Sequence, residues 1–273
     1  MLTNYNGHMI PAEQAQVPAG NTAFRYGHGL FETMLVRDSA IRLAAYHWQR
    51  LLAGLQQLHF VLPAHFSPTL LEGEVLRTVR KNGLERLCRV RLQVFGSNGG
   101  IFGPEDDMLH YLVECYPLND SDLLLNENGL VTGIATGVAK SADSMSNLKS
   151  CNALVYSMAA RQAGREKWND ALVCNTHGRI AESTIANIFW VKDGSIYTPP
   201  LAEGCVAGVM RRHILATVPG ITETPLPIET LQQADEVFLT NAIKGIRWVR
   251  TTGDTKYGNS IIQQLYKDLF QDR

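Results

Sequence analysis

A lysine, an arginine and a glutamate in this chain lie in short patterns that could do chemistry. Lys149 ends the polar segment SADSMSNLK, just before an apolar run with helical spacing. A lysine near a helix N-terminus feels the positive end of the helix dipole, which lowers its pKa, and burial lowers it further. A neutral amine is the form that makes a Schiff base. Taken alone, the local pattern favours a solvated surface lysine, since most lysines are exposed.

Two further segments have the chemistry of an anion site. Arg50 lies on the polar side of the helical pattern YHWQRL, and its planar guanidinium offers the paired donors that a phosphate needs. The segment GVMRR, residues 208–212, opens a predicted helix whose first backbone N–H groups lack partners and suit a phosphate. Glu182 follows a predicted strand in RIAESTIAN. By itself, Arg50 is better explained as a surface arginine on an amphipathic helix. Glu182 alone is also consistent with a turn glutamate, and the side chains of GVMRR are consistent with ordinary core.

The elements that must position these residues are a mixture of helices and strands. Trp48, Leu51, Leu52, Leu55 and Leu58 recur at helical spacing, whereas Val90, Leu92 and Val94 alternate with polar residues as in a strand. The patterns predict helices at 46–60, 68–82, 150–163, 208–218 and 260–270, and strands at 29–37, 89–95, 109–116 and 235–242, with three more within 170–200.

The mixture of elements in both halves predicts an α+β fold with two domains. The polar segment Tyr116–Gly129 is the best boundary, which gives a smaller N-terminal α+β domain at 1–117 and a larger C-terminal domain at 118–273 that carries Lys149. Regular βαβ alternation and a G-x-G-x-x-G motif are missing from the sequence, which argues against a Rossmann fold.

Composition narrows the function classes. The chain has 273 residues, 45% of them apolar, and 25 basic residues balance 26 acidic ones. A net charge of −1 argues against binding to nucleic acid or an anionic membrane by bulk charge. Five cysteines without a C-x-x-C pair, no signal peptide and no membrane-length apolar run predict a cytoplasmic protein. The eight histidines lack metal-ligand spacing, and no G-x-S-x-G or P-loop motif occurs.

Six segments in order resemble one family. They are FRYGHGLFETMLV, YHWQRL, SNLKSCNAL, ALVCNTHGRIAESTIANIFW, TPPLAEGCVAGVMRR and ADEVFLTNA. Together they resemble the class IV aminotransferases, the fold-type IV pyridoxal-phosphate enzymes. That family includes branched-chain aminotransferases, D-amino acid aminotransferases and 4-amino-4-deoxychorismate lyases. The resemblance runs from about Phe24 to Val249, and it implies a two-domain fold like that of D-amino acid aminotransferase and pyridoxal 5'-phosphate (PLP) as cofactor.

The resemblance implies a role for each segment. Lys149, in a K-x-x-N context, would hold PLP as a Schiff base and move the proton at the substrate Cα. Glu182 would keep the pyridine nitrogen protonated, so that the ring acts as an electron sink. Arg50 and the backbone amides of Val209 and Met210 would bind the phosphate. The implied cofactor-binding set is Lys149, Arg50, Glu182, Ser183, Thr184, Val209, Met210 and Asn241.

The substrate side is less determined by the resemblance. Aminotransferases commonly carry a hydroxyl residue at the position of Ala242, whereas the T-N-A form here resembles the lyases. Asn241, Phe31 and Thr33 are the candidate substrate-binding residues, although strand packing explains Phe31 and Thr33 equally well. The strand near Leu109 lacks the arginine expected for a substrate carboxylate in lyase relatives. The candidates that could replace it are Arg25, Arg91, Lys244 and Arg247.

The resemblance favours a lyase that converts 4-amino-4-deoxychorismate to p-aminobenzoate and pyruvate for folate biosynthesis. The alternative is a branched-chain or D-amino acid aminotransferase, and a non-catalytic binding protein is the third interpretation. We expect a small amino substrate with a carboxylate, a homodimer, and no nucleic-acid, membrane or metal partner.

Overall fold

A computed structural model describes residues 1–102 and 108–270 of the chain. The chain divides into two compact units, the first formed by Met1–Asp122 with Leu148–Ala153 and the second by Leu123–Asn147 with Leu154–Arg273. The short segment with Lys149 therefore groups with the first unit. The domain boundary predicted at residues 117 and 118 stays a prediction beside this division.

Among the described residues, the first unit contains a six-stranded sheet and three α-helices. In chain order, its elements are β1 (Leu2–Tyr5), β2 (His8–Pro11), α1 (Thr22–Tyr26), β3 (Gly29–Arg37), β4 (Ala40–Ile41), α2 (Ala44–Gln57), α3 (Pro68–Lys81), β5 (Leu87–Gly96) and β6 (Leu109–Pro117). The strand order is β2-β1-β6-β5-β3-β4, and the pairs β3–β5 and β5–β6 are antiparallel.

Alternation along the strands gives this sheet two different faces. Val90, Leu92 and Val94 of β5 are fully buried in one core with apolar residues of α2 and α3. Helix α3 begins where the sequence favours it, because the Ser67 hydroxyl accepts a hydrogen bond from the Leu70 N–H and a proline occupies the first turn. The alternate residues of β3 and β5 point to the opposite face.

In the part of the second unit that the structure describes, a nine-stranded sheet is accompanied by four α-helices. Its elements are β7 (Leu130–Ile134), α4 (Leu154–Glu166), β8 (Asp170–Cys174), β9 (Ile180–Ser183), β10 (Asn187–Lys192), β11 (Ser195–Thr198), α5 (Val209–Thr217), β12 (Thr222–Glu223), α6 (Ile228–Gln232), β13 (Glu236–Asn241), β14 (Gly245–Thr252), β15 (Thr255–Lys256) and α7 (Ser260–Phe270). The path β12-β11-β10-β13-β14-β7-β8-β9 returns on itself, because β9 also pairs with β10 at Asn187 and Glu182.

Most predicted elements are confirmed, and the predicted α+β class is correct. Two predictions are wrong. Helix α4 begins at Leu154 rather than at residue 150, since residues 149–151 pair with β3 instead. The stretch 170–200 contains four strands rather than three, because a turn at 184–186 separates β9 from β10. No helix in residues 1–102 and 108–270 combines the length and apolar character needed to cross a membrane.

Candidate active site

Lys149 lies in an extended segment that pairs with the first residues of β3. Its carbonyl accepts a hydrogen bond from the Phe31 N–H at 2.9 Å, and the Cys151 N–H donates to the Gly29 carbonyl at 2.9 Å. The Lys149 Nζ lies 4.5 Å from the centre of the Phe31 ring. The predicted effect of a helix N-terminus on this lysine is therefore wrong, because α4 begins five residues later and backbone pairing with β3 positions Lys149.

A second cation shares the Phe31 ring with Lys149. The Arg91 guanidinium lies 3.9 Å from the ring centre, and Thr33 is the residue directly opposite Arg91 in the β3–β5 register. Burial raises the pKa of the Cys151 thiol to about 11, and the nearby positive charge of Arg91 partly offsets that rise. The structure thus brings the predicted residues Lys149, Phe31 and Thr33 together with Arg91.

Arg50 belongs to a different cluster of the first unit, around a buried glutamate on the helix side of β3. The Arg50 Nε donates to Glu32 Oε1 at 2.8 Å and its Nη2 donates to Oε2 at 2.5 Å. The His47 Nδ1 lies 2.6 Å from Oε2. Burial alone would raise the pKa of the Glu32 carboxyl, but the charges and hydrogen bonds of Arg50 and His47 outweigh it and hold the pKa at about 2.

Sequence analysis assigned no role to Glu32. A signal was present, because alternation places this charged residue on the otherwise apolar face of β3, towards a helix with His47 and Arg50 one turn apart. The structure shows that Arg50 uses its Nε and Nη2 to bind Glu32. The phosphate role predicted for Arg50 stays a prediction, and Glu32 is the residue that fixes where its guanidinium lies.

Glu182 lies on β9 in the second unit and is 3% exposed. Its Oε1 accepts from the Lys140 Nζ at 2.5 Å and from the Tyr156 hydroxyl at 2.6 Å. The Val206 N–H lies 3.1 Å from Oε1 and 3.0 Å from Oε2, and the Asn187 Nδ2 lies 3.4 Å from Oε2. This buried carboxylate therefore has a cation and short hydrogen bonds on one oxygen and weaker contacts on the other.

Lys140 and Tyr156 are functional candidates that sequence analysis missed. The Lys140 backbone is fixed by pairing, since its N–H donates to the Cys174 carbonyl at 2.9 Å and its carbonyl accepts from the Thr176 N–H at 3.0 Å. Burial raises the pKa of the Tyr156 hydroxyl, and the Glu182 charge and hydrogen bond raise it further, so this hydroxyl remains a donor. The sequence feature that could have indicated a buried Lys140 is its position at the end of the largely apolar segment ATGVAK.

Ser183 and Thr184 follow Glu182, but their hydroxyls bind the protein itself. The Ser183 Oγ donates to the Ala186 carbonyl at 3.2 Å, and the Thr184 Oγ1 donates to Asp170 Oδ1 at 2.5 Å. Burial raises the pKa of the Asp170 carboxyl, and the bonds from Thr184 and Ser183 act in the opposite direction. These bonds fix the turn between β9 and β10, and the predicted cofactor contacts of both residues stay predictions.

Helix α5 presents the predicted phosphate amides in the second unit. Gly208 is its N-cap and has no side chain that could bind the first-turn N–H groups of Val209 and Met210. A Cβ at Gly208 would lie 1.8 Å from the Asn187 Oδ1, so only glycine fits. Helix α5 packs against β13, where the buried Thr240 hydroxyl has no hydrogen-bond partner among the described residues.

Asn241 ends β13 and closes the turn to β14. Its Oδ1 accepts hydrogen bonds from the Ile243 N–H at 3.1 Å and the Lys244 N–H at 2.8 Å. These two bonds leave the Asn241 side-chain NH₂ as the part that could reach a ligand. The cofactor and substrate contacts predicted for Asn241 stay predictions.

The described residues fit PLP. Lys149 supplies an amine beside an aromatic ring, Glu182 supplies a buried carboxylate with one less occupied oxygen, and α5 supplies uncapped amides. The unpartnered Thr240 hydroxyl is a further polar group without a protein ligand among the described residues. These are the groups that a Schiff base, a pyridine nitrogen and a phosphate require.

Comparison with known proteins agrees with this chemistry. The family model for class IV amino-transferases matches residues 29–251 of the chain. An aminodeoxychorismate lyase of Bacillus subtilis is 27% identical, over 96% of this chain and 92% of its own length. The branched-chain-amino-acid aminotransferase of Escherichia coli is 27% identical, over 97% and 92%. A crystal structure of an Escherichia coli branched-chain amino acid aminotransferase has a TM-score of 0.86 at 25% identity and covers 98% of this chain and 94% of its own.

Proposed function

The chain belongs to the class IV aminotransferases, a family of PLP-dependent enzymes, and we propose that it is a lyase that converts 4-amino-4-deoxychorismate into p-aminobenzoate and pyruvate. The observation that carries the proposal is the end of β13, where Ala242, directly after Asn241, stands in place of the hydroxyl residue common in aminotransferases. The Asn241 side chain organises this turn. The similarity to the Bacillus subtilis lyase over nearly the whole chain supports it.

Several residues of the chain would supply distinct parts of this reaction. When bound, PLP supplies an electron sink for the substrate carbon that carries nitrogen. The Lys149 amine would take the proton from that carbon, and the C–O bond on the adjacent ring carbon would break. The leaving group would depart as the enolate of pyruvate, which takes up one proton to give pyruvate. Glu182 holds a proton on the ring nitrogen, while Arg50 and the amides of Val209 and Met210 hold the phosphate. Formation of an aromatic product drives the elimination, so the protein needs mainly to hold the substrate and take one proton.

Arg91 is the cation that we propose for the substrate carboxylate. Arg25 donates to the carbonyls of Ala19 and Gly99, whereas Arg91 donates to the neutral Gln93 Oε1 at 3.1 Å and shares the Phe31 ring with Lys149. No carboxylate in the described part of the chain lies within 4.0 Å of Arg91. Its planar fork therefore suits a carboxylate ligand.

An amino-acid aminotransferase is the second candidate function. The similarity to the Escherichia coli branched-chain enzyme covers 97% of this chain, and the similarity to the lyase covers 96%. In that reaction the amino group of one amino acid would pass, by way of the cofactor, to a second 2-oxo acid, and the first amino acid would leave as its own 2-oxo acid. Lys149 would carry the proton. The two functions share Lys149, Glu182 and Arg50, so the substrate decides between them.

A homodimer in the cytoplasm that serves folate biosynthesis is part of this proposal and rests on the family resemblance. Large apolar side chains exposed on the first unit support a partner surface, since Phe24, Ile101 and Phe102 are the most exposed large apolar residues in the described part of the chain. Light scattering would detect the dimer, and a fully active monomer would contradict it.

The assay of choice adds 4-amino-4-deoxychorismate to the PLP-loaded protein and follows p-aminobenzoate by its fluorescence. We expect product from the wild type and none from Lys149→Ala. Arg91→Met should raise KM, whereas Arg89→Met is the matched control, because Arg89 lies two residues away and stacks on Tyr116 at 4.4 Å. Formation of a 2-oxo acid from an amino acid, without any p-aminobenzoate, would overturn the lyase and support the aminotransferase.

A further inference from the structure

The two oxygens of the Glu182 carboxylate have unequal surroundings. Oε1 accepts from the Lys140 Nζ at 2.5 Å, from the Tyr156 hydroxyl at 2.6 Å and from the Val206 N–H at 3.1 Å. Oε2 has the same Val206 N–H at 3.0 Å and the Asn187 amide at 3.4 Å. Oε1 is therefore saturated with donors, and Oε2 is the oxygen with capacity for another one.

Lys140 and Tyr156 hold this asymmetry in place. The Lys140 side chain is 9% exposed, and its Nζ also lies 5.2 Å from the centre of the Tyr156 ring. Tyr156 lies in the first turn of α4, which packs against β8 beside β9. Because both donors are fixed by backbone pairing or helix packing, the Glu182 carboxylate cannot easily rotate to exchange its oxygens.

We propose that Lys140 is a positioning residue that holds Glu182 by Oε1 and leaves Oε2 to accept a hydrogen bond from the ring nitrogen of PLP, so that the shared proton resides on nitrogen. The inference rests on the role proposed for Glu182, and it holds for the lyase and the aminotransferase alike. It assigns a function to a lysine outside the Schiff-base site.

The position of the proton depends on how far the Lys140 charge lies from the carboxylate and from the ring nitrogen. A cation stabilises a carboxylate relative to a carboxylic acid, and this stabilisation falls as the charges separate. Lys140 touches Oε1 directly, whereas a ring nitrogen bound at Oε2 would be further from Nζ than the carboxylate is. The lysine charge therefore favours the state with a carboxylate and a protonated nitrogen. Without the Lys140 charge this preference is lost, and the ring nitrogen holds the shared proton less firmly.

The test is the ¹⁵N NMR spectrum of the protein loaded with PLP that is ¹⁵N-labelled in the ring, recorded without substrate. We expect a resonance typical of a protonated pyridine nitrogen in the wild type and a shift towards the unprotonated position in Lys140→Met. Lys140→Arg should restore the wild-type resonance. Lys140→Gln keeps a hydrogen-bond donor without the charge, and we expect it to shift the resonance as Lys140→Met does.

Two controls separate this proposal from its premise and from general loss of structure. Glu182→Gln should give the unprotonated resonance whatever residue stands at 140, and a protonated resonance in that variant would refute the role of Glu182 itself. Lys192→Met removes a lysine from a half-exposed ion pair with Asp235 in the same unit, and it should leave the spectrum unchanged. If Lys140→Met fails to fold, Lys140→Gln carries the test. An unshifted, protonated resonance in the charge-free variants would overturn the inference.

Discussion

Glu32 in the first unit and Glu182 in the second are both buried glutamates with a cation beside them, yet their partners bind them differently. Arg50 reaches both oxygens of Glu32, and His47 lies against one of them. Lys140 reaches a single oxygen of Glu182, at Oε1. The planar guanidinium of Arg50 binds both oxygens of Glu32. The ammonium group of Lys140 is a point charge that binds one oxygen of Glu182 and leaves the other accessible.

This difference separates a carboxylate that positions a cation from one that can take a ligand. Glu32 fixes Arg50, and its own acceptor capacity is used within the protein. Glu182 is fixed by Lys140 and Tyr156, and its Oε2 keeps capacity for a donor from outside. The lysine partner of Glu182 therefore leaves that glutamate able to bind a ligand, whereas the arginine partner of Glu32 does not.

The largest effect on stability should come from removing the closed carboxylate. Glu32→Ala leaves the Arg50 charge without its anion, and breaking a buried ion pair in this way costs about 3–5 kcal/mol. Glu182→Ala should cost less, because Lys140 donates one hydrogen bond to Glu182 whereas Arg50 donates two to Glu32. Urea unfolding of both variants measures the difference, and equal losses would show that the two clusters are equivalent.

Acid should weaken the fold through Glu32. The pKa of its carboxyl is lowered from the ordinary 4.5 to about 2, chiefly because Arg50 and His47 outweigh the effect of burial. A depressed pKa stabilises the folded state above the unfolded pKa, and this contribution disappears as the pH falls towards 2. We expect a loss of roughly 3 kcal/mol between pH 5 and 2. The unfolding free energy of the wild type should converge on that of Glu32→Gln as the pH falls, and parallel curves would contradict this.

Replacing the Arg50 guanidinium by a lysine ammonium should make the Glu32 cluster resemble the Glu182 cluster. Arg50→Lys loses one of two bonds to Glu32, which should cost about 2 kcal/mol of unfolding free energy. If Arg50 also binds phosphate, PLP affinity should fall about tenfold, while the affinity for pyridoxal, which lacks the phosphate, should not change. An equal loss for both ligands would remove the phosphate role from Arg50.

The smallest effect should come from the hydroxyl next to Glu182. Thr184→Ala removes the bond to Asp170 and should lower the unfolding free energy by about 1 kcal/mol. Because that hydroxyl is already bonded, we expect PLP affinity to stay at the wild-type value in a spectrophotometric titration. A several-fold weaker affinity would instead assign the Thr184 side chain to the cofactor.

Local patterns in the sequence predict many of the helices and strands of the fold. The strand Gly29–Arg37 and the helix Ser260–Phe270 lie where apolar alternation and helical spacing predict them. In both, the buried face is determined by the spacing of apolar residues that are close together in the sequence. The predictions of secondary structure were wrong where a residue distant in sequence determines the local conformation. Residues 149–151 have no strand signal of their own, and they are extended because β3 offers its backbone groups to them.

The sequence by itself determined the chemical types and their order: a lysine in K-x-x-N, a glutamate after a strand, an arginine on a helix and a glycine before another helix. Only the tertiary structure decided their partners. Arg50 is paired with Glu32, Lys140 with Glu182, and Arg91 shares a ring with Lys149. The distance between residues tens of positions apart is set by strand register and packing, which local sequence does not encode.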